Sequence, residues 1–205
     1  MTAQTHVPSR RTVLAGALGL SALGSAAAAG PAAAALGDPA VPTDPDVSFF
    51  LSIPGIPGAA TLRGFEGQIE LLTWAWGVDA SGSVGGSGGG GGAGKATPRS
   101  VVALADSGIQ SPALMLNTSN GHHVQSALIS CVRGGRRPFT FMTLKFEDLL
   151  ITSYAVTPDP TQGLPTDLVH LDFAKITFTV IPQNPDGSPG TPIVTAFDYA
   201  TQKSD

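Results

Sequence analysis

Hydrophobic and polar residues alternate in several short stretches that begin near residue 47 and continue almost to residue 205. The clearest period of two occurs at 139–146 and 176–179, and this period is typical of a strand with one buried face. Turn-forming residues separate the stretches, as at 54–58 and 185–190. The pattern predicts strands at 47–53, 65–78, 100–105, 122–133, 140–146, 149–156, 168–180 and 193–199.

One helix is predicted among these strands. Ser111 is a favoured N-cap residue and Pro112 suits the first helical position. Asn120 and Gly121 provide a left-handed stop at the other end. About eight strands with one short helix indicate a mainly β fold. We expect a closed or nearly closed β-barrel of short antiparallel strands, with one short flanking α-helix and a long Gly-rich loop.

The predicted strand at 65–78 is apolar on both faces. Ile69 and Leu71 point to one side, whereas Leu72, Trp74 and Trp76 point to the other, because side chains alternate along a strand. A strand that is apolar on both sides is expected to be covered twice. We therefore predict that the core covers one face and a neighbouring chain covers the other.

The N-terminal segment, residues 1–35, has the composition of an export signal. Arg10 and Arg11 precede a modestly apolar stretch and a run of small residues, which is the tripartite arrangement of a twin-arginine signal peptide. Cleavage is predicted after Ala28 or Ala35. The protein is thus expected to engage the twin-arginine export machinery and to be secreted or extracytoplasmic.

The alternative for this segment, a membrane-spanning helix, is disfavoured by its glycines, since each costs about 1 kcal/mol of helix propensity. No later segment has the roughly 18 consecutive apolar residues that a span requires, so no stable membrane span is expected. Residues 36–46 are rich in Pro, Asp and Ala and predict a flexible leader. The barrel domain is predicted at 47–205.

Charge and cysteine content narrow the class of protein. The 205-residue chain has a net charge of −4, and removal of Arg10 and Arg11 with the signal leaves nine basic and 15 acidic residues, or −6. Such a chain lacks the basic surface that nucleic-acid binding requires. Its single cysteine, Cys131, excludes an intramolecular disulfide and lies in an apolar run, where we expect a small buried hydrophobic residue.

The candidate catalytic and metal-binding motifs are incomplete. Gly89 to Lys95 satisfies G-x-x-x-x-G-K, but Ala96 replaces the Ser or Thr that a phosphate loop needs to hold magnesium. Side chains of adjacent residues on a strand point to opposite faces, which separates the pairs His122-His123 and Glu147-Asp148. We therefore predict no catalytic, cofactor-binding or metal-binding residues, and no enzyme activity.

Six segments of the chain, in order, carry a resemblance to one family. They are 50–58, 67–77, 89–95, 111–115, 145–154, and 171–176 with 182–188, and together they extend over about residues 49 to 203. They resemble the haemolysin-coregulated protein (Hcp) family, the tube subunits of type VI secretion. The second segment resembles the family's G-x-I-E-x-x-S-W-x-W-G strand, and the fifth its K-x-E-D-V-x-V-S-S-Y run.

This resemblance implies a barrel assembled into a hexameric ring, with rings stacked head to tail into a tube that carries or binds small effector proteins. The long loop at 79–98 would contact the next subunit or ring. The candidate subunit or ring interface comprises Trp74, Trp76, Gly89, Gly94 and Lys95.

The chain departs from the family in two places. Family members normally carry no cleavable signal, and residues 101–110 lack the aromatic and lysine-rich run usual before the helix. These departures leave a second hypothesis, an exported monomeric binding module on the same barrel without tube function. A secreted enzyme is a third, for which the sequence offers no good candidate residue.

Overall fold

The alternating segments form strands in the computed structural model, which describes residues 46–82, 93–135, 138–158 and 163–204. Within these ranges there are ten strands and one helix. In chain order they are β1 Val47–Ser52, β2 Ile69–Ala75, β3 Val78–Gly82, β4 Ala93–Pro98, β5 Val101–Asp106, α1 Ser111–Asn120, β6 His123–Arg133, β7 Phe139–Pro158, β8 Pro165–Val180, β9 Ile193–Asp198 and β10 Lys203–Ser204.

Eight of the strands belong to one sheet, in the order β10-β9-β8-β5-β2-β1-β6-β7, and β7 also pairs with β8. This last pairing closes six strands into an antiparallel barrel, from β8 through β5, β2, β1, β6 and β7 back to β8. Strands β9 and β10 extend the sheet outside the ring. The predicted fold class, a closed barrel with one short helix, is confirmed.

Apolar side chains fill the interior of the barrel. The register places Leu51, Ile129 and Leu144 side by side on β1, β6 and β7, and each is no more than 1% exposed. Phe146 and Leu171 are 0% exposed in the same core. Each such side chain contributes about 1.5–3 kcal/mol to the free energy of unfolding, so the fold is held chiefly by this packed interior.

A second, smaller core covers the outside of β1 and β6. Here the segment at 57–68 packs over Phe50 and Val132. The rings of Phe50 and Phe65 stack with their centroids 4.6 Å apart. Gly58 lies so close to the backbone of Gln68 that any side chain at this position would overlap it. The predicted 65–78 strand therefore begins later than expected, at Ile69, because residues 65–68 belong to this cover.

The predicted strands at 140–146 and 149–156 are wrong as separate elements, since β7 runs through both. Before Asp148 the inward residues are Leu144 and Phe146, and after it they are Leu149 and Ile151. Asp148 itself has a positive φ of 61°. Asp148 thus stands inside a strand, where the inward face changes by one residue, and not at a strand boundary.

The predicted 65–78 strand and 79–98 loop also need correction. Strand β2 stops at Ala75, and Val78–Gly82 pairs with Ala93–Pro98 as a separate two-stranded antiparallel hairpin. Both ends of the expected loop are therefore strands. Residues 83–92, which include Gly89, lie outside the described residues.

The helix occupies the predicted position, but its start differs. Gln110 is the N-cap residue, Ser111 is the first helical residue, and no side chain caps the helix. Ser111 was the predicted N-cap. Its hydroxyl instead donates to Asp167 at 2.6 Å and accepts from the Gly108 N–H at 2.9 Å. The predicted stop is confirmed by the left-handed conformation of Gly121.

Asp167, a fully buried carboxylate on β8, connects four elements. One oxygen accepts hydrogen bonds from the Ser107 hydroxyl at 2.7 Å and the Tyr154 phenol at 2.9 Å. The other accepts from Gln110 Nε2 at 3.1 Å and the Ser111 hydroxyl at 2.6 Å. Burial first, and then the bond to Asp167, raises the pKa of Tyr154. The site ties β7, β8, the β5–α1 connection and the helix together.

Substitution Asp167→Asn is expected to lower the free energy of unfolding by about 2–4 kcal/mol, because the amide NH₂ would face hydroxyl or amide donors in a buried site. Chemical denaturation followed by circular dichroism measures the change. The matched control is Asp172→Asn on the same strand, an exposed residue bonded to the Ser100 hydroxyl, for which a change of about 0.5 kcal/mol is expected. Equal losses in the two variants would contradict the role given to Asp167.

Candidate assembly surfaces

The two tryptophans predicted to face a neighbouring chain are partly buried against this chain's own core. The Trp74 ring makes an edge contact with Phe49, with the ring centroids 6.2 Å apart. The Trp76 ring lies 6.2 Å from that of Phe173. Only the remaining exposed part of each ring is open to a second chain, so their assignment to an interface stays a prediction.

The β3–β4 hairpin carries two other predicted interface residues, Gly94 and Lys95. Its base is held by Arg99, whose guanidinium donates to both Asp79 carboxylate oxygens at 2.6 and 2.7 Å. This hydrogen bond holds the pKa of Asp79 below its usual value. Lys95 is exposed on β4. The structure therefore presents Lys95 to solvent on an ordered strand.

The edge of β4 is covered at one residue. The side-chain amide of Gln202 accepts from the Ala96 N–H and donates to the Ala96 carbonyl, both at 3.0 Å. A side chain here bonds to the strand edge as a neighbouring backbone would. In the two-stranded sheet, β3 has β4 on one side and no strand on the other within the described residues.

The local structure argues against the phosphate loop suggested by Gly89 to Lys95. A phosphate loop leads from a strand into a helix, whereas Lys95 lies within strand β4. Among the described residues no group of three His, Cys, Asp or Glu side chains could hold a metal ion. His123 instead approaches the Asp148 carboxylate to 2.8 Å, with both side chains more than half exposed.

Sequence reasoning missed an open strand edge at β9. Ile193 and Val194 are 64% and 58% exposed, and on the paired strand β8, Phe178 and Val180 are 36% and 38% exposed. The signal was present in the sequence, because residues 191–197 contain no charged residue. Recognising it also required the sheet order, which places β9 outside the barrel.

In the described parts of the chain, none of the helical segments combines the length and the hydropathy that a bilayer span requires.

One family model matches the chain. The family model for the type VI secretion system effector Hcp matches residues 50–180, more than half of the chain. A search of curated proteins found no match.

Solved structures support the fold. A type six secretion system protein superposes with a TM-score of 0.72 at 19% identity, covering 77% of this chain and 99% of the other. Hcp1 from Salmonella typhimurium gives 0.63 at 19% identity, with coverage of 78% and 99%. A type VI secretion system effector from Yersinia pestis gives 0.58 at 22% identity, with coverage of 73% and 98%.

The fold defines a mainly β protein, a closed antiparallel barrel of six strands with one short helix. The chain belongs to the Hcp family of type VI secretion proteins. This is a family of structural secretion proteins and not a family of enzymes.

Cys131 is expected to be unreactive in the folded protein. Burial in the core raises the pKa of its thiol to about 12 from an ordinary value of 9.0, with a weaker opposing effect from Trp74. Because the thiolate is the reacting species, a disulfide reagent at pH 8 should modify the native chain very slowly. The same reagent should modify one thiol per molecule of the denatured chain. Rapid native modification would contradict the burial of Cys131.

The raised pKa of Cys131 also determines how the stability of the fold changes with pH. The unfolded chain loses this proton near pH 9 and the folded chain only near pH 12, so this group's contribution to the free energy of unfolding falls as pH rises between them.

Gly94→Ala should distort the β3–β4 hairpin, because a Cβ at this position would overlap the Ser81 carbonyl on β3. If the hairpin contacts a neighbouring subunit, this variant will assemble less well than the unaltered chain while the barrel melts at nearly the same temperature. Light scattering and thermal melting measure the two effects.

The control for the hairpin is Gly77→Ala. Its Cβ would meet the Arg99 side chain at 3.7 Å, an ordinary contact, so unchanged assembly is expected. Normal assembly of Gly94→Ala, with a hairpin shown to be distorted, would remove the hairpin from the interface.

Proposed function

We propose that this chain is an exported tube subunit of a type VI-like secretion system, which self-assembles into hexameric rings that stack into a tube. The observation that carries the proposal is family membership, established over residues 50–180. The closed barrel supports the proposal, because each copy has exposed strand edges that are available for contacts with other copies.

The packed interior bears on where effector proteins would be carried. Ile129, Phe146 and Leu171 are 0% exposed inside the barrel, so the space within one subunit is occupied by side chains. A lumen would therefore form between subunits, enclosed by the ring. Small effector proteins are proposed to bind there.

The export route is proposed from residues 1–35. A twin-arginine system carries folded cargo, which suits a chain whose single cysteine forms no intramolecular disulfide. The ring would then assemble outside the cytoplasm after cleavage at Ala28 or Ala35.

Light scattering after size exclusion, performed on residues 36–205 over a range of concentrations, tests the ring. A species of about six times the subunit mass is expected for the proposed hexameric ring, in which heterologous contacts close on themselves. Negative-stain electron microscopy of the same fraction should show rings with an open centre.

A clean monomer at every concentration would contradict ring formation and favour the second hypothesis, a monomeric exported binding module on the same barrel. Cargo is tested separately, by mixing assembled rings with small effector proteins and measuring co-elution.

A further inference from the structure

Strand β9 lies at an incomplete edge of the main sheet. On one side it pairs with β8 from Ile193 to Asp198. On the other, β10 pairs only with Phe197 and Asp198. The outer edge of β9 over residues 193–196 therefore has no strand partner among the described residues, and the backbone N–H and C=O groups that point away from β8 face outward.

The side chains around this edge are unusual for an exposed strand. Ile193 is 64% exposed and shares a face with Val180, which is 38% exposed. On the opposite face, Val194 is 58% exposed. Edge strands of soluble proteins are commonly protected by charged residues, proline or bulges. Residues 193–197 contain no charged residue and no proline.

We infer that the outer edge of β9, residues 193–196, pairs with a strand from a second copy of this chain. Backbone hydrogen bonds would extend the sheet across the contact, and the apolar side chains on both faces of β9 would be covered by the same event. This inference rests on the proposed self-assembly and assigns one of its contacts.

The charge of the chain favours a second copy as the occupant. Two copies that each carry a net negative charge, −4 for the full chain and −6 after removal of residues 1–35, repel one another, so their approach costs least where both surfaces are uncharged. The β9 edge meets this condition from residue 191 to 197. A strongly basic partner would gain no electrostatic attraction at residues 191–197, because these residues include no carboxylate.

The chain also contains a strand that can occupy the edge. The outer side of β3 has no strand neighbour in the described part of the chain, and Val78 on it is 48% exposed. Its Asp79 is paired with Arg99 at 2.6 Å, which reduces the charge that β3 brings to an apolar contact. Each copy thus carries both an edge that can accept a strand, on β9, and a strand that can occupy it, β3, and a ring subunit needs one such contact with each of its two neighbours.

Ile193→Lys tests the inference. The residue is exposed in the single chain, so the barrel should fold normally, while a charge buried at the new contact should weaken assembly at least about tenfold. The matched control is Ile109→Lys before α1, where the same residue type is 61% exposed away from β9. Light scattering across concentrations should show impaired assembly for Ile193→Lys alone, with equal melting temperatures.

Hydrogen exchange on the unaltered chain gives a second measurement. Amides of residues 193–196 that face outward should become protected in the assembled fraction relative to a dilute monomeric fraction. Assembly of Ile193→Lys at the unaltered affinity, or unprotected β9 amides in the assembly, would overturn the inference and leave the ring intact. An unaltered chain that stays monomeric would instead contradict the proposed function itself, and protection of β9 only upon addition of another protein would assign the edge to a different partner.

Discussion

The pairing of β7 with β8 is the contact on which the rest of the architecture depends. It runs from Met142–Val180 to Pro158–Pro165, and it joins β7, the strand at one end of the sheet, to β8, so that six strands form a closed ring. Along its other edge, β8 has two successive neighbours. Thr166 to Leu171 pair with β5, and Lys175 to Val180 pair with β9. The sheet therefore divides at residues 172–174, where β5 continues the barrel and β9 leaves it.

This division explains why the interior and the exterior of the barrel have different roles. Closure requires that the inward side chains of six strands fill a narrow space, as small barrels do, and the buried residues on β1, β6, β7 and β8 fill it. The only buried charged side chain in the described residues is Asp167, and its four neutral donors hold the helix to the barrel. The contacts proposed with other copies must therefore be made on the outside, where β9 and the β3–β4 hairpin lie.

The period-two pattern predicted the strands and the barrel well, because burial on one face is a local property of the sequence. The pattern failed at Asp148. There the inward face of a single strand shifts by one residue, and in the sequence this shift looks the same as a break between two strands. The helix start was misplaced by one residue for a different reason. Ser111 has the chemistry of an N-cap, but Asp167, 56 residues further along the chain, engages its hydroxyl. The open edge of β9 required the strand order, which no local pattern contains.

An exposed uncharged edge carries a risk, since it can pair with any extended chain. The local sequence limits that risk. Pro192 lacks the N–H that a longer ladder would need, and the carboxylate of Asp198 bonds to the N–H groups of Ala200 and Thr201, which turns the chain toward β10. The accessible edge is thereby confined to residues 193–196. A partner strand of about four residues fits between these two limits, whereas a longer extended chain finds no further edge to pair with at either end.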